Sequence, residues 1–125
     1  MKTTKKLGIW IDHSVAYLTE IEENTISSTT IEAQPKLQGD EEFVYKDESH
    51  TLNKEKKQLT SFYKEVSEVI LGYEWVVLYG PGDAKNELFN LLKIDHLFDK
   101  IKIDVKPADK MTDVQRNIFV KEYFR

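Results

Sequence analysis

The first apolar run, Leu7-Gly8-Ile9-Trp10-Ile11, is short and unbroken until Asp12, a pattern that predicts a buried strand. Asp12-His13-Ser14 is a turn cluster, and Val15 to Ile21 predicts a second strand, so the two form a hairpin. After a turn at Glu22-Glu23-Asn24, the β-branched and polar stretch Thr25 to Glu32 has the composition of a strand on a solvated sheet edge. Periodicity then disappears. Pro35, Gly39 and the acidic clusters Asp40-Glu41-Glu42 and Asp47-Glu48 predict a long loop over about residues 34–52, with Phe43-Val44-Tyr45 as a candidate strand segment inside it. Helical spacing returns with Leu59, Phe62, Tyr63, Val66, Val69 and Ile70, for which Asn53 is the expected cap and Gly72 the expected stop. The continuous apolar run Trp75 to Tyr79 predicts a central strand covered on both faces. Gly80-Pro81-Gly82-Asp83 is then a strand-to-helix turn needing positive φ at Gly80 or Gly82, with Asp83 capping a helix to about Leu92. A short helical piece is expected from Asp95 to Lys100 and an alternating strand from Ile101 to Val105. Thr112 caps a last helix to Phe124, with Gln115 completing a capping box.

The order β-β-β-α-β-α-β-α predicts an α/β fold. A three-strand antiparallel meander is followed by two α-linked strands parallel to the first, which is the ribonuclease-H-like mixed sheet. At 125 residues the chain fits one domain, residues 1–125, with a core large enough to need no disulfide or metal. The absence of cysteine excludes a thiol nucleophile, an iron–sulfur cluster and cysteine-ligated zinc. The run after the basic N-terminus is too short for a signal peptide or a membrane span, so a cytoplasmic domain with no membrane partner is expected. The net charge of −4 gives no bulk attraction for nucleic acid, but it is uneven. Residues 1–84 carry nine Lys/Arg against fifteen Asp/Glu, and residues 85–125 carry nine against seven. Lys85, Lys93, Lys100, Lys102, Lys106, Lys110 and Arg116 therefore make either a mildly basic face or ordinary surface charge.

The Gly80 to Lys85 turn is the sharpest local feature, because a glycine-flanked helix start leaves backbone N–H groups open to an anion and Lys85 adds a positive charge. It is not a Walker loop, and Asp83 opposes a phosphate at the cap. Asp12 ends the first strand, where a ribonuclease-H-like sheet can hold a metal-binding carboxylate, so a metal-dependent nuclease using Asp12 is an alternative; turn chemistry alone also selects Asp there. His13, His50 and His96 show no metal-ligand spacing, and Ser14 beside His13 makes no triad. No aromatic comb interleaved with basic residues marks a single-strand-binding surface.

Three segments occur together: Gly8-Ile9-Trp10-Ile11-Asp12-His13, Gly80-Pro81-Gly82-Asp83-Ala84-Lys85 and Ala108-Asp109-Lys110-Met111-Thr112-Asp113. Over about residues 6–124 this set resembles a group of small bacterial proteins related to the middle domain of the eukaryotic and archaeal class-1 translation release factor and of Pelota. The resemblance implies a ribonuclease-H-like fold and a role at or near the ribosome, with tRNA or ribosomal RNA as partner. The release factor carries a Gly-Gly-Gln tip in the loop between its meander and first helix and uses it to promote peptidyl-tRNA hydrolysis. Here the matching stretch, Gln34 to His50, holds only Gln38-Gly39, so peptide release is not expected, as for Pelota, which also lacks that tip. No codon-reading or GTPase-docking domain is expected within these residues, so a role in translation would be exercised alone or with partners supplying those parts.

The resulting expectation is a binding domain rather than an enzyme, with no cofactor and no catalytic residue. Its contact site is expected at Gly80, Gly82 and Lys85, with Lys110 and Arg116 as neighbours. The competing expectation is a protein–protein adaptor or homo-oligomer, resting on the acidic N-terminal half and the third strand at a sheet edge.

Overall fold

A computed structural model describes residues 5–23, 25–33 and 48–125. The elements are β1 (Lys6–Ile11), β2 (Val15–Glu22), β3 (Thr25–Glu32), α1 (Glu48–Ile70), β4 (Trp75–Gly80), α2 (Ala84–Lys93), a 3-10 turn (His96–Phe98), β5 (Lys102–Pro107) and α3 (Asp113–Tyr123). They build one five-stranded sheet in the order β3-β2-β1-β4-β5. β1 pairs antiparallel with β2, and β2 antiparallel with β3. On its other side β1 pairs parallel with β4, and β4 parallel with β5. The mixed α/β sheet read from the sequence is the sheet observed.

The apolar runs explain the two faces. Leu7, Ile9 and Ile11 alternate with Gly8 and Trp10 along β1, so each face of the central strand receives apolar side chains. On one face Leu7, Ile9, Ile11, Val76 and Leu78 pack against Phe62, Tyr63, Val66 and Ile70 of α1 and Ala84, Leu88 and Leu92 of α2. On the other, Trp10, Val77 and Tyr79 pack under Val120 and Phe124 of α3. Full burial of a side chain of this size stabilises the fold by about 1.5–3 kcal/mol, so the two layers hold the sheet from both sides. Where α3 crosses β1, Gly8 lets the helix onto the strand backbone: a Cβ there would lie 2.3 Å from Val120 Cγ2.

Several boundaries differ from the sequence reading. α1 begins at Glu48, so Asn53 lies inside the helix instead of capping it, and residues 48–52 belong to the helix rather than to the loop. The early turns are polar, and Glu and Lys favour helix without producing an apolar stripe, so periodicity could not reveal them. The rest of that loop, with Phe43-Val44-Tyr45 and Gln38-Gly39, lies outside the described residues. Gly72 follows the end of α1 and donates to the Val69 carbonyl, but it does not take the left-handed conformation of a glycine stop. β5 begins one residue later than expected and runs on to Pro107. α3 carries the expected capping box: Thr112 Oγ1 accepts from the Gln115 N–H and the Gln115 side chain accepts from the Thr112 N–H.

Candidate functional site

The chain leaves β1 towards β2 on one side and leaves its parallel neighbour β4 towards β5 on the other, so the strand order reverses between β1 and β4. The carboxyl ends of the parallel strands beside such a reversal are where open α/β sheets hold their ligands. The Gly80–Asp83 turn leaves β4 at this end, the 108–112 connection leaves β5 there, and both lead directly into helices. They are tied to each other and to β1. Gly80 has φ +142°, and a Cβ on it would stand 2.5 Å from the Ile11 carbonyl oxygen, so the turn lies on the end of β1. The Ala108 N–H donates to the Gly80 carbonyl at 3.1 Å, and Trp10 Nε1 donates to the Asp109 carbonyl at 3.0 Å. Gly82, φ +66°, is exposed with open space where a side chain would stand. Both glycines therefore take positive φ, for different reasons.

The five expected contact residues divide by exposure. Gly82 and Lys110 face solvent. Gly80 is buried, Lys85 is only 7% exposed, and its Nζ donates to the Gly82 carbonyl at 2.5 Å. Asp83 occupies the cap position of α2 without a side-chain cap bond, so the lysine rather than the aspartate secures this turn. Arg116 is also 7% exposed. Its Nη1 donates to the Met111 carbonyl at 2.7 Å, its Nη2 pairs with Asp113, and its guanidinium lies 3.8 Å from the centre of the Tyr17 ring. It holds the 108–112 connection down on β2. Nearby, the Tyr79 ring stacks on Phe119 with centroids 4.2 Å apart, and its buried hydroxyl has no partner among the described residues. Burial pushes that hydroxyl's pKa up, opposed by the Arg116 charge.

Asp12 is occupied by its own turn: Oδ1 accepts from the Ser14 N–H at 2.7 Å and the Val15 N–H at 2.9 Å. Among the described residues no three His, Asp or Glu side chains converge on a metal-sized site, so the partners that a nuclease centred on Asp12 requires are not assembled there. His13 reaches across to α2, its Nε2 lying 3.1 Å from Glu87 Oε1, and the Tyr63 hydroxyl donates to the same oxygen at 2.6 Å. The Tyr63 bond, seconded by His13, outweighs burial and lowers the Glu87 pKa. This cluster joins α1, α2 and the β1–β2 turn.

A second cluster, invisible in the sequence because its members are far apart, lies along β5 where it meets the start of β4 and the carboxyl end of α3. Asp104 accepts from Trp75 Nε1 at 2.8 Å and from the Tyr123 hydroxyl. Lys102 Nζ stands 4.2 Å from the centre of the Trp75 ring, Lys6 5.9 Å from it, and Lys106 6.0 Å from that of Tyr123. Three lysines are thus spread over aromatic faces beside an edge strand, an arrangement that only the sheet register could disclose. No described helix is long and apolar enough to cross a membrane.

The sequence matches no known family, and it matches none of the curated proteins. Solved structures give a different result. The fold aligns with Pelota from Archaeoglobus fulgidus over 97% of this chain, at 13% identity and a TM-score of 0.61. Its fold resembles part of Pelota. Pelota from Thermoplasma acidophilum aligns over 95% at 13% identity and a TM-score of 0.59, and an archaeal translation termination factor over 96% at 16% identity and 0.50. The chain spans 32% of each Pelota and 39% of the termination factor, about a third of their length. The likeness expected from the three sequence segments is therefore present in the backbone, and at these identities it is a likeness of fold.

Proposed function

We propose that this chain is a non-catalytic binding domain of the translation machinery, contacting ribosomal RNA or tRNA through the carboxyl ends of β1, β4 and β5. The observation that carries this reading is the fold likeness to Pelota and to an archaeal translation termination factor over at least 95% of the chain. The exposed residues for contact are Gly82 and Lys110, with Lys106 on the adjoining end of β5. Lys85 and Arg116 act one step behind them, holding the two backbone segments that present the surface. The sequence around Gln38-Gly39 offers no Gly-Gly-Gln with which to promote peptide release.

The test is co-sedimentation with ribosomes of the source organism at low and high salt. Contacts to phosphate release counterions, so binding is expected to fall as salt rises. Lys110→Glu is expected to weaken it and to reduce the salt slope by about one. Absence of co-sedimentation in either salt would remove the translation reading, and binding untouched by Lys110→Glu would remove this surface.

A further inference from the structure

Among the described residues β3 is an outer strand, paired with β2 and with no strand beyond it in the sheet. Its eight residues match β2 one for one, without a bulge. From Thr25 to Ile31 it carries no charge, no proline and no glycine. Over Thr25 to Ile31 it has none of the lysine, proline or bulge that commonly blunt an exposed edge, and the strand is not short. The phase of the ladder identifies the residues that face outward. The Ala33 N–H donates to the Ser14 carbonyl, and the register places these two residues opposite each other. In an antiparallel pair such bonded positions alternate. Thr25, Ser27, Thr29 and Ile31 therefore spend their backbone groups on β2, while Ile26, Ser28, Thr30 and Glu32 present theirs at the outer edge.

We propose that this edge pairs antiparallel with the same edge of a second copy of the chain, about a two-fold axis at Ser28, so that two sheets become one. The axis must pass through a residue, because an axis between residues would set an outward position against an inward one. Through Thr29 it would place Ile26 against the partner's Glu32, an apolar side chain against a carboxylate. Through Ser28 it places Ile26 against the partner's Thr30, Thr25 against the partner's Ile31, and Ser28 against its own counterpart. Those pairs are β-branched or small, and no charge faces another, so the edge is complementary to itself. Ile26, 38% exposed, gains cover in the process. One strand-to-strand contact is small beside a standard interface, so the dimer dissociates readily and its population depends on concentration. Because its bonds join neutral residues, salt does not weaken it, which separates it from RNA contact.

Sedimentation equilibrium over a concentration series tests this, with backbone hydrogen exchange as a second readout. The expected result is a mass rising from 14.6 kDa towards twice that value, insensitive to salt, with protection of the Ile26, Ser28 and Thr30 amides rising in parallel. Ser28→Lys and Ser28→Glu, each placing like charges together at the axis, are expected to be monomeric alone and to pair when mixed. Their circular dichroism should match the parent, since residue 28 is exposed and its backbone groups do not bond β2. A monomer at every concentration overturns the proposal. So does a dimer that both variants leave intact, and so does concentration-independent protection of these amides in a monomer, which would assign the edge to another part of the chain.

Discussion

Gly80 and Gly82 look alike in the sequence, yet the structure asks different things of them. Gly80 combines φ +142° with a backbone neighbour: a Cβ would stand 2.5 Å from the Ile11 carbonyl oxygen. Gly80→Ala is expected to cost about 3 kcal/mol or more, because neither the backbone conformation nor the contact can relax without moving β4 off β1. At Gly82, with φ +66° and open space, Gly82→Ala is expected to cost only about 1 kcal/mol. Urea unfolding of both variants checks the ordering, and equal costs would mean that the turn is not pinned to β1. Lys85→Met keeps a long stem in the same place but removes the bond to the Gly82 carbonyl, for an expected loss of about 1–2 kcal/mol read from the same urea curves. The sequence disclosed that this turn needs glycine, since residue type and position are enough for that. It did not disclose that Lys85 and Arg116 fold inward, because a lysine or arginine can bury its stem and bond a carbonyl as readily as reach for a phosphate. Which of these happens depends on where Gly82, Met111 and Tyr17 stand, and that is a tertiary fact.

At the scale of elements, most of the fold was legible because each element carried its own local signal. The apolar run of β4 marked a central strand, Thr112 and Gln115 marked the start of α3, and the polar β3 marked an edge. The start of α1 was not legible, since the sequence of its early turns is polar and carries no apolar period. The closeness of α3 to β1 was hidden too, because Gly8 in a strand reads locally only as a weak position. In the fold it is the site where the helix rests on the strand, a Cβ being 2.3 Å from Val120 Cγ2. Gly8→Ala is therefore expected to destabilise by about 2 kcal/mol through overpacking. Val120→Ala makes room, so the double variant should be more stable than the sum of the two losses implies, by about 1 kcal/mol. A double-mutant cycle in urea measures that coupling, and additivity within about 0.5 kcal/mol would place the stress of Gly8→Ala elsewhere.

Across the whole molecule, one carboxylate on each face of the sheet ties elements that are remote in sequence, and both are expected to contribute to how stability depends on pH. Glu87 accepts from Tyr63 and His13, linking α1, α2 and the β1–β2 turn. Asp104 accepts from Trp75 and Tyr123, linking β5 to β4 and α3. Burial works to raise the Asp104 pKa, but the bonds from Tyr123 and Trp75 and the charges of Lys102 and Lys106 outweigh it and hold it low. For Asp104 and Glu87 alike the folded value lies below the unfolded one, so the folded state binds protons more weakly. Their contribution is present above the unfolded carboxylate range near pH 4 and is lost as pH falls through the lower folded values. The tyrosines behave in the opposite sense. Burial, followed by the bond to Asp104, pushes the Tyr123 hydroxyl up to about 12, and Tyr63 is raised by burial and by Glu87. Their contribution is present below the unfolded value near pH 10 and is lost as pH rises through the folded ones. Stability is thus expected to hold a plateau between these limits and to fall on both sides. Asp104→Asn separates this account from general acid unfolding. The amide retains an acceptor oxygen but no longer titrates, so plateau stability should drop while the acid limb becomes shallower than in the parent. Tyr123→Phe should instead flatten the alkaline limb. Urea midpoints followed by circular dichroism at closely spaced pH values read both limbs. An acid limb unchanged by Asp104→Asn would show that this carboxylate does not govern it, and would leave the loss to Glu87 and the remaining acids.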